Sequence, residues 1–248
     1  MYSFSNQFIE KLRSAENIVF FTGAGISAES GVPTFRGENG IWKKFSAEEL
    51  ANFDAFLRNP DLVWEWYQHR RAVIHSTQPN AGHLAITEFQ KLYPAVSVIT
   101  QNIDNLHRRA GNSTIFELHG NMEKNYCISC GKRFDYIDFA EDVHSPKCDC
   151  GGLIRPDIVW FGENLPDGVF AAAEESIERA DIVFSIGTSG IVYPAAYLPI
   201  NAHRLGKFLV EINPVKTELS GSCNEIFRFG SAEILPVILA KAKELKSL

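Results

Sequence analysis

An α/β fold built on a parallel sheet is the class that the sequence predicts, and three observations predict it. Apolar runs at Ile18-Val19-Phe20-Phe21, Val96-Ser97-Val98-Ile99, Ile182-Val183-Phe184-Ser185-Ile186 and Phe208-Leu209-Val210-Glu211-Ile212 lack polar alternation, as strands buried on both faces require. Helical patterns separate them, which is the signature of crossover connections. Polar clusters stand at strand ends, at 22–28, 100–104, 119–120, 187–189 and 213–214, where open parallel sheets bind ligands.

The elements follow in order. Phe4, Phe8, Ile9 and Leu12 have helical spacing, so residues 3 to 15 read as an amphipathic helix. The run at 18–21 is the first strand and ends in Thr22-Gly23-Ala24-Gly25-Ile26-Ser27-Ala28. Residues 38 to 79 place aromatic and charged residues in helical arrangements outside the sheet pattern. A further helix starts at Asn80 as its cap and stops before Pro94. The strand at 96–99 ends in Thr100-Gln101-Asn102-Ile103-Asp104, and Ile115-Phe116-Glu117-Leu118 is a strand ending at His119-Gly120. A cysteine segment, about 121 to 157, interrupts the pattern, and strands resume at Ile158-Val159-Trp160-Phe161 and at the two later runs. Helices are expected from about Asp167 to Ala180 and from about 232 to 246. The expected organisation is a Rossmann-like sheet domain (1–37, 80–120 and 158–248) with a smaller domain made of a helical insert (38–79) and a zinc ribbon (121–157).

With 248 residues and 45% apolar content, the chain is long enough to bury a sizeable core. Its net charge of -6 argues against a general electrostatic footprint on nucleic acid. The basic pairs Lys43-Lys44, Arg70-Arg71 and Arg108-Arg109 are short and read mostly as solvated faces. No apolar run approaches the ~18 residues of a membrane span. The opening residues are neither a signal nor a transit peptide, so the expected compartment is the cytoplasm.

Cys127, Cys130, Cys148 and Cys150 lie within 24 residues. In a cytosolic chain such clustering favours metal over disulfides. Four thiolates close a tetrahedral zinc shell and leave no open position, so the metal holds structure and the chemistry lies elsewhere. The second half-site, Cys148-Asp149-Cys150, is one residue shorter than Cys-x-x-Cys. That strains its turn and leaves Asp149 or another group open to shift the ligand geometry. Cys223 stands alone and reads as a packed small hydrophobe.

Gly23-x-Gly25-x-x-Ala28 follows a strand, as dinucleotide-binding turns do: one glycine for the turn, one for close approach to pyrophosphate, a small third residue for helix packing. No second strand ends in an acidic residue about 20 positions on, so hydride transfer is not indicated. His119, at a strand end, is either a hydrogen-bonded structural histidine or a general base near neutral pH. Asn102 and Asp104 leave a neighbouring strand end, where Asp104 also suits a helix cap. Tyr67 and Arg70 are spaced i, i+3 and share a helix face. By spacing alone, Arg70 belongs to a solvated face.

These residues carry a resemblance. Gly23-Ala24-Gly25-Ile26-Ser27, Gly31-Val32-Pro33-Thr34-Phe35-Arg36, Thr100-Gln101-Asn102-Ile103-Asp104, Leu118-His119-Gly120, Phe161-Gly162-Glu163, Gly187-Thr188-Ser189 and Ile212-Asn213-Pro214 occur in the order found in sirtuins, the NAD-dependent protein lysine deacylases. The match runs from about 10 to 245. Ala51 with Tyr67 and Arg70 looks like the class III branch, which prefers succinyl, malonyl and glutaryl groups; that companion residue reverses the solvated reading of Arg70.

The resemblance implies roles. Gly23, Ala24, Gly25, Ser27 and Arg36 hold pyrophosphate, and Phe35 shields the reacting ribose carbon. Gln101, Asn102, Ile103 and Asp104 place the nicotinamide ribose and carboxamide, with His119 and Asn102 as the catalytic pair. Gly187, Thr188, Ser189, Asn213, Pro214, Val215 and Ser231 hold the adenosine half. Ala51, Tyr67 and Arg70 select the acyl group. Val159, Phe161 and Glu163 line the acyl-lysine tunnel and the peptide cleft, where substrate backbone adds as a strand. The acyl oxygen attacks the ribose carbon as nicotinamide leaves, giving an alkylimidate. His119 then deprotonates a ribose hydroxyl that attacks the imidate carbon. NAD is consumed, one zinc is structural, and the partner is acylated lysine in proteins or peptides, with no membrane or nucleic acid. A general deacetylase, an NAD-dependent protein ADP-ribosyltransferase on the same fold, and a non-enzymatic zinc-ribbon binding module are the alternatives.

Overall fold

The computed structural model describes residues 2–35, 41, 46–135 and 145–247, without the side chains of residues 47 and 48. Lys43-Lys44 and Arg36 lie outside the described residues.

Helix α1 (Asn6–Ser14) starts where the Ser5 hydroxyl accepts from Phe8 N, and it buries Phe8 and Leu12. Strand β1 (Asn17–Thr22) follows, and a single helical turn, α2 (Gly25–Ala28), leaves its end. Short helices α3 (Ala47–Leu50) and α4 (Phe53–Arg58) lead into α5 (Pro60–His75). Helix α6 (Ala81–Leu92) is capped by Asn80, whose Oδ1 accepts from Gly82 N. Strand β2 (Ala95–Thr100), the turn α7 (Leu106–Arg109) and strand β3 (Ile115–Glu117) come next. Strands β4 (Gly120–Cys127), β5 (Arg133–Phe134) and β6 (Ile154–Ile158) form a separate antiparallel sheet. The chain then returns through α8 (Asp167–Arg179), β7 (Ile182–Ile186), α9 (Tyr197–Arg204), β8 (Phe208–Ile212), β9 (Glu225–Phe227) and α10 (Ser231–Lys246).

The large sheet has the order β3-β2-β1-β7-β8-β9, and every pairing is parallel. Alternate residues of each strand feed two cores. Phe20 and Phe184 pack with Phe8, Phe89 and Ile238 on one face, beneath α1, α6 and α10. Val19, Phe21, Val183 and Leu209 pack with Ile177 and Leu198 on the other, beneath α8 and α9. The chain runs outward from β1 to β3 and then resumes at β7 on the other side of β1, so a crevice opens between the carboxyl ends of β1 and β7.

A third core belongs to the small domain. Trp64, Tyr67 and Val63 from α5 pack with Met122, Ile154, Trp160 and Cys127. The strand expected at 158–161 is a correction. Strand β6 ends at Ile158 and pairs antiparallel with β4, while residues 159–163 turn away. Gly162 at φ 87° and the Glu163 carboxylate accepting from Trp160 N hold that turn. Trp160 is buried in the small-domain core, Val159 is half-buried against the large-sheet core, and Phe161 is exposed at the cavity rim. The solvated reading of Arg70-Arg71 is also corrected: both are buried, and Arg71 donates to Met122 O and Asn125 Oδ1.

Gly120 joins the sheets. It has φ 77°, and a Cβ there would lie 2.1 Å from Asp157 O. Only glycine lets β4 cross β6 at the residue after His119.

Candidate active site

The glycine turn after β1 is fixed from the next strand. Gly23 N donates to Ile186 O at 2.9 Å and Gly25 N to Gly187 O at 2.8 Å. A Cβ on Gly25 would come within 2.6 Å of Gly187 Cα, so the two backbones touch. Thr188 then binds the other segments. Its hydroxyl accepts from Gln101 Nε2 at 3.0 Å, and its carbonyl accepts from Asn213 Nδ2 at 3.0 Å. Asn102 Nδ2 donates to Gly23 O at 3.1 Å and to Ser27 Oγ at 3.3 Å.

Together these ends border a cavity of about 1230 Å³. Gly23, Ala24, Gly25, Phe35, Gln101, Asn102, Ile103 and His119 form part of the wall, with Gly187, Thr188, Ser189, Asn213, Pro214, Val215 and Ser231. Ala51, Tyr67, Val159, Phe161 and Glu163 complete it from the small-domain side. This volume exceeds the ~300–1,000 Å³ usual for a single small ligand.

Ser27 and Asp104 stand behind the wall. Both are buried, and the Ser27 hydroxyl donates to Asp104 Oδ2 at 2.7 Å. Asp104 Oδ1 accepts from Leu106 N at 2.9 Å, so the carboxylate also caps α7. Burial raises its pKa, opposed by the bonds from Leu106 and Ser27. Behind these groups, the His83 and His107 rings meet edge to face, with centroids 4.9 Å apart. Burial pushes His83 down to about 4 and His107 well below its ordinary value.

His119 is set for proton transfer. Its Nδ1 lies 2.9 Å from Gln101 O. A carbonyl only accepts, so Nδ1 carries the proton and Nε2 keeps its lone pair. Burial lowers the pKa of His119, opposed by the bond to Gln101, so the ring is a neutral base at physiological pH. Ring orientation therefore depends on the same strand-end segment that supplies Gln101 and Asn102.

The acyl-selecting residues are divided. Ala51 and Tyr67 reach the wall, but Arg70 lies one helical turn along α5, outside it. The Arg70 guanidinium packs over the Phe35 ring at 4.7 Å and the Trp66 ring at 5.1 Å. Its Nε is buried with no hydrogen-bond partner among the described residues. Burial lowers the Arg70 pKa and raises that of Tyr67. The Tyr67 hydroxyl accepts from Trp160 Nε1 at 2.9 Å. Trp160 borders the cavity and was not singled out from sequence, nor were Ile191 and Tyr193 at the rim. The polar run at 187–189 pointed to that rim; no spacing signal pointed to Trp160.

The cysteines form a separate centre. The four sulfurs lie within 4.8 Å of one another, with Cys127–Cys150 at 3.5 Å and Cys130–Cys148 at 3.7 Å. A tetrahedral shell with Zn–S of ~2.3 Å has sulfur separations of about 3.8 Å, so the set fits zinc. Asp149 is solvent-facing and paired with Lys132 Nζ at 2.8 Å, away from the sulfurs' cluster. The compressed half-site closes because Gly151 takes φ 84°, and because a Cβ on Gly152 would sit 2.7 Å from Cys127 Sγ. Cys223 packs partly buried against the sheet core and donates to Leu219 O. No helix among the described residues is long and apolar enough to cross a membrane.

The profile of the Sir2 family matches residues 23–194, so the chain belongs to the Sir2 family, the sirtuins. It is 50% identical over 206 residues to an NAD-dependent protein deacylase of Aquifex aeolicus, covering 82% of this chain and 86% of that one. An NAD-dependent protein deacylase of Mycobacterium tuberculosis is 45% identical over 234 residues, 92% of this chain and 98% of that one. Among solved structures, a Sir2 homologue–NAD complex superposes with a TM-score of 0.92 at 38% identity, covering 98% of this chain and 96% of that one. A Sir2–p53 peptide–NAD+ complex gives 0.88 at 33% identity, covering 98% of this chain and all of the other.

Two outcomes follow from this geometry. Purified protein should carry one zinc per chain, and Cys127→Ser should lose the metal and lower the melting temperature; a metal-free, equally stable wild type would refute the assignment. Between pH 6.5 and about 4 the unfolded chain takes up the His83 proton that the folded chain refuses, so stability falls as pH falls through that window. The total loss should be about 3 kcal/mol. His83→Asn should flatten that slope in denaturant titrations at pH 7 and pH 5; parallel slopes would exclude His83 as the cause.

Proposed function

We propose that this sirtuin is an NAD-dependent protein lysine deacylase that favours succinyl, malonyl and glutaryl groups over acetyl. In this reading NAD lies along the strand ends, its pyrophosphate against the glycine turn after β1, where the lack of side chains on Gly23 and Gly25 allows close approach. Asn102 and Gln101 border the reacting ribose, and Asn213, Val215 and Ser231 border the adenosine half. Ser27 and Asp104 act from behind, by fixing Asn102 and the start of α7. We assign 1–37, 80–120 and 158–248 to the nucleotide-binding domain and the rest to the small domain; two cores lie on the large sheet, and the third joins α5 and the small sheet with Val32, Leu106, Ile158 and Trp160. Acylated lysine of a protein or peptide enters beside Val159, Phe161 and Glu163.

The mechanism uses few groups. NAD supplies the electrophilic ribose carbon and the hydroxyl that becomes the nucleophile. Once the acyl oxygen has displaced nicotinamide, His119 Nε2 takes the ribose hydroxyl proton. The ribose oxygen bonds to the imidate carbon, water adds there as the carbon–nitrogen bond to lysine breaks, and the products are free lysine, nicotinamide and O-acyl-ADP-ribose.

One observation carries the acidic-acyl reading. Tyr67 and Arg70, one turn apart on a buried helix, both hold donors that no described residue accepts: the phenolic hydrogen and Arg70 Nε–H. Buried donors without partners are rare, and a carboxylate satisfies both. Ala51 leaves room beside them. A general deacetylase is the second reading, and the packing of Phe35 over Arg70 favours it, because Arg70 meets a carboxylate only if that ring shifts.

His119→Ala should lower turnover by about 10²–10⁴-fold while NAD still binds. The acid limb of the wild-type rate profile should fall below pH 6.5, because burial lowers the His119 pKa. Near wild-type turnover in the folded variant would remove His119 from the mechanism. Arg70→Met should cut desuccinylation by about 10²-fold, since charge-assisted bonds contribute ~1.5–3 kcal/mol, with deacetylation affected far less. An unchanged succinyl-to-acetyl ratio of kcat/KM would leave the general deacetylase.

A further inference from the structure

Tyr67 reads an acyl carboxylate only if its hydroxyl donates, and a phenol both donates and accepts. Trp160 Nε1 lies 2.9 Å from the Tyr67 oxygen. An indole nitrogen has a hydrogen and no lone pair, so the bond has one direction, from Trp160 to Tyr67. One phenolic lone pair is thereby occupied. No described residue accepts the phenolic hydrogen, and Tyr67 borders the cavity.

The indole is itself held in place. The Arg155 guanidinium, with no exposed surface, lies 3.4 Å from the centre of the Trp160 ring. Arg155 is anchored by Glu163, with Nη2 donating to Oε2 at 2.9 Å, and by Ile158 O at 2.8 Å. Phe56 packs against the indole with ring centroids 5.3 Å apart. Rotation of the indole away from Tyr67 would break these contacts. The donor therefore stays aimed at the phenol whether or not an acyl group is bound.

We infer that Trp160 is a specificity-determining positioning residue: its indole N–H occupies the Tyr67 oxygen and so commits the phenolic hydrogen to an acceptor on the acyl group. This inference rests on the acidic-acyl reading above. It adds a residue that acts through Tyr67. A phenylalanine at 160 would keep an aromatic ring but free Tyr67 to turn its lone pairs toward the acyl group, where they repel a carboxylate.

The experiment measures kcat and KM on one peptide carried as succinyl- and acetyl-lysine. The enzymes are wild type, Tyr67→Phe, Trp160→Phe and Trp160→Phe/Tyr67→Phe. A fifth enzyme carries 3-benzothienylalanine at 160, which puts sulfur in place of the N–H within the same two-ring shape. That enzyme keeps the test usable if Trp160→Phe fails to fold. Loss of the N–H should lower the succinyl-to-acetyl ratio of kcat/KM by about fivefold to tenfold, mostly through the succinyl KM, as expected for one lost directed hydrogen bond. In the Tyr67→Phe background, removing the indole N–H should change the ratio no further. A purely structural role would lower both substrates together and add to Tyr67→Phe, which would overturn the inference. An unchanged ratio in the sulfur analogue, with wild type preferring succinyl and Tyr67→Phe lowering that preference, would overturn it and leave the acidic-acyl reading standing. A wild type without succinyl preference would overturn both.

Discussion

Everything at the site depends on two backbones in van der Waals contact. Where β1 and β7 end, Gly25 and Gly187 leave no room for a side chain on either. That contact fixes the glycine turn, whose Gly23 and Gly25 amides donate to the carbonyls of Ile186 and Gly187. It also sets Thr188, which ties Gln101 and Asn213 to the same point. Gln101 in turn gives its carbonyl to His119. The proposed base, His119, is thus oriented, through two hydrogen bonds, by the close backbone approach that shapes the glycine turn. Pre-organisation here is a property of the sheet, not of the loops taken one by one.

The fold was largely legible because burial on both faces leaves a crude mark. Residues 18–21 and 182–186 have no polar alternation, and only a covered parallel sheet tolerates that. The misread strand at 158–161 shows the limit of this signal. Val159, Trp160 and Phe161 are apolar for three different surroundings: cavity wall, small-domain core and exposed rim. A short apolar run does not report which neighbour covers it. Strand β9 escaped for the opposite reason, being a three-residue edge with only Ile226 and Phe227 apolar.

Most residues singled out for the nucleotide reach the cavity wall, since most of them stand within three residues of a strand's carboxyl end, and strand ends are positions that sequence pattern fixes. Ser27 and Asp104 instead bind one another behind it. Their types and places were readable, but which surface they face depends on how α2 and α7 meet. The arginines were the hardest. Spacing assigns Arg70 and Arg71 to a wet helix face, yet the antiparallel sheet covers that face and gives Arg71 the Met122 carbonyl and the Asn125 amide. Long cationic side chains are buried only when partners from distant segments are present, and no local pattern encodes those partners.

The two halves of the site therefore differ in physical character. The nucleotide half is built of backbone groups and small polar side chains, all tied to one parallel sheet. The half proposed to take the acyl group is built of Tyr67 and Trp160, which pack in the small-domain core, with the Arg70 guanidinium over the Phe35 and Trp66 rings. No described hydrogen bond joins Tyr67 or Arg70 to His119, so in the proposed reading changes in the second half alter which acyl group fits without moving Gln101 or the base. Chemistry common to a family and selectivity particular to a member can then vary separately. In the inference drawn above, the direction of a single phenolic hydrogen bond, set by an indole on the neighbouring segment, alters the second and leaves the first untouched.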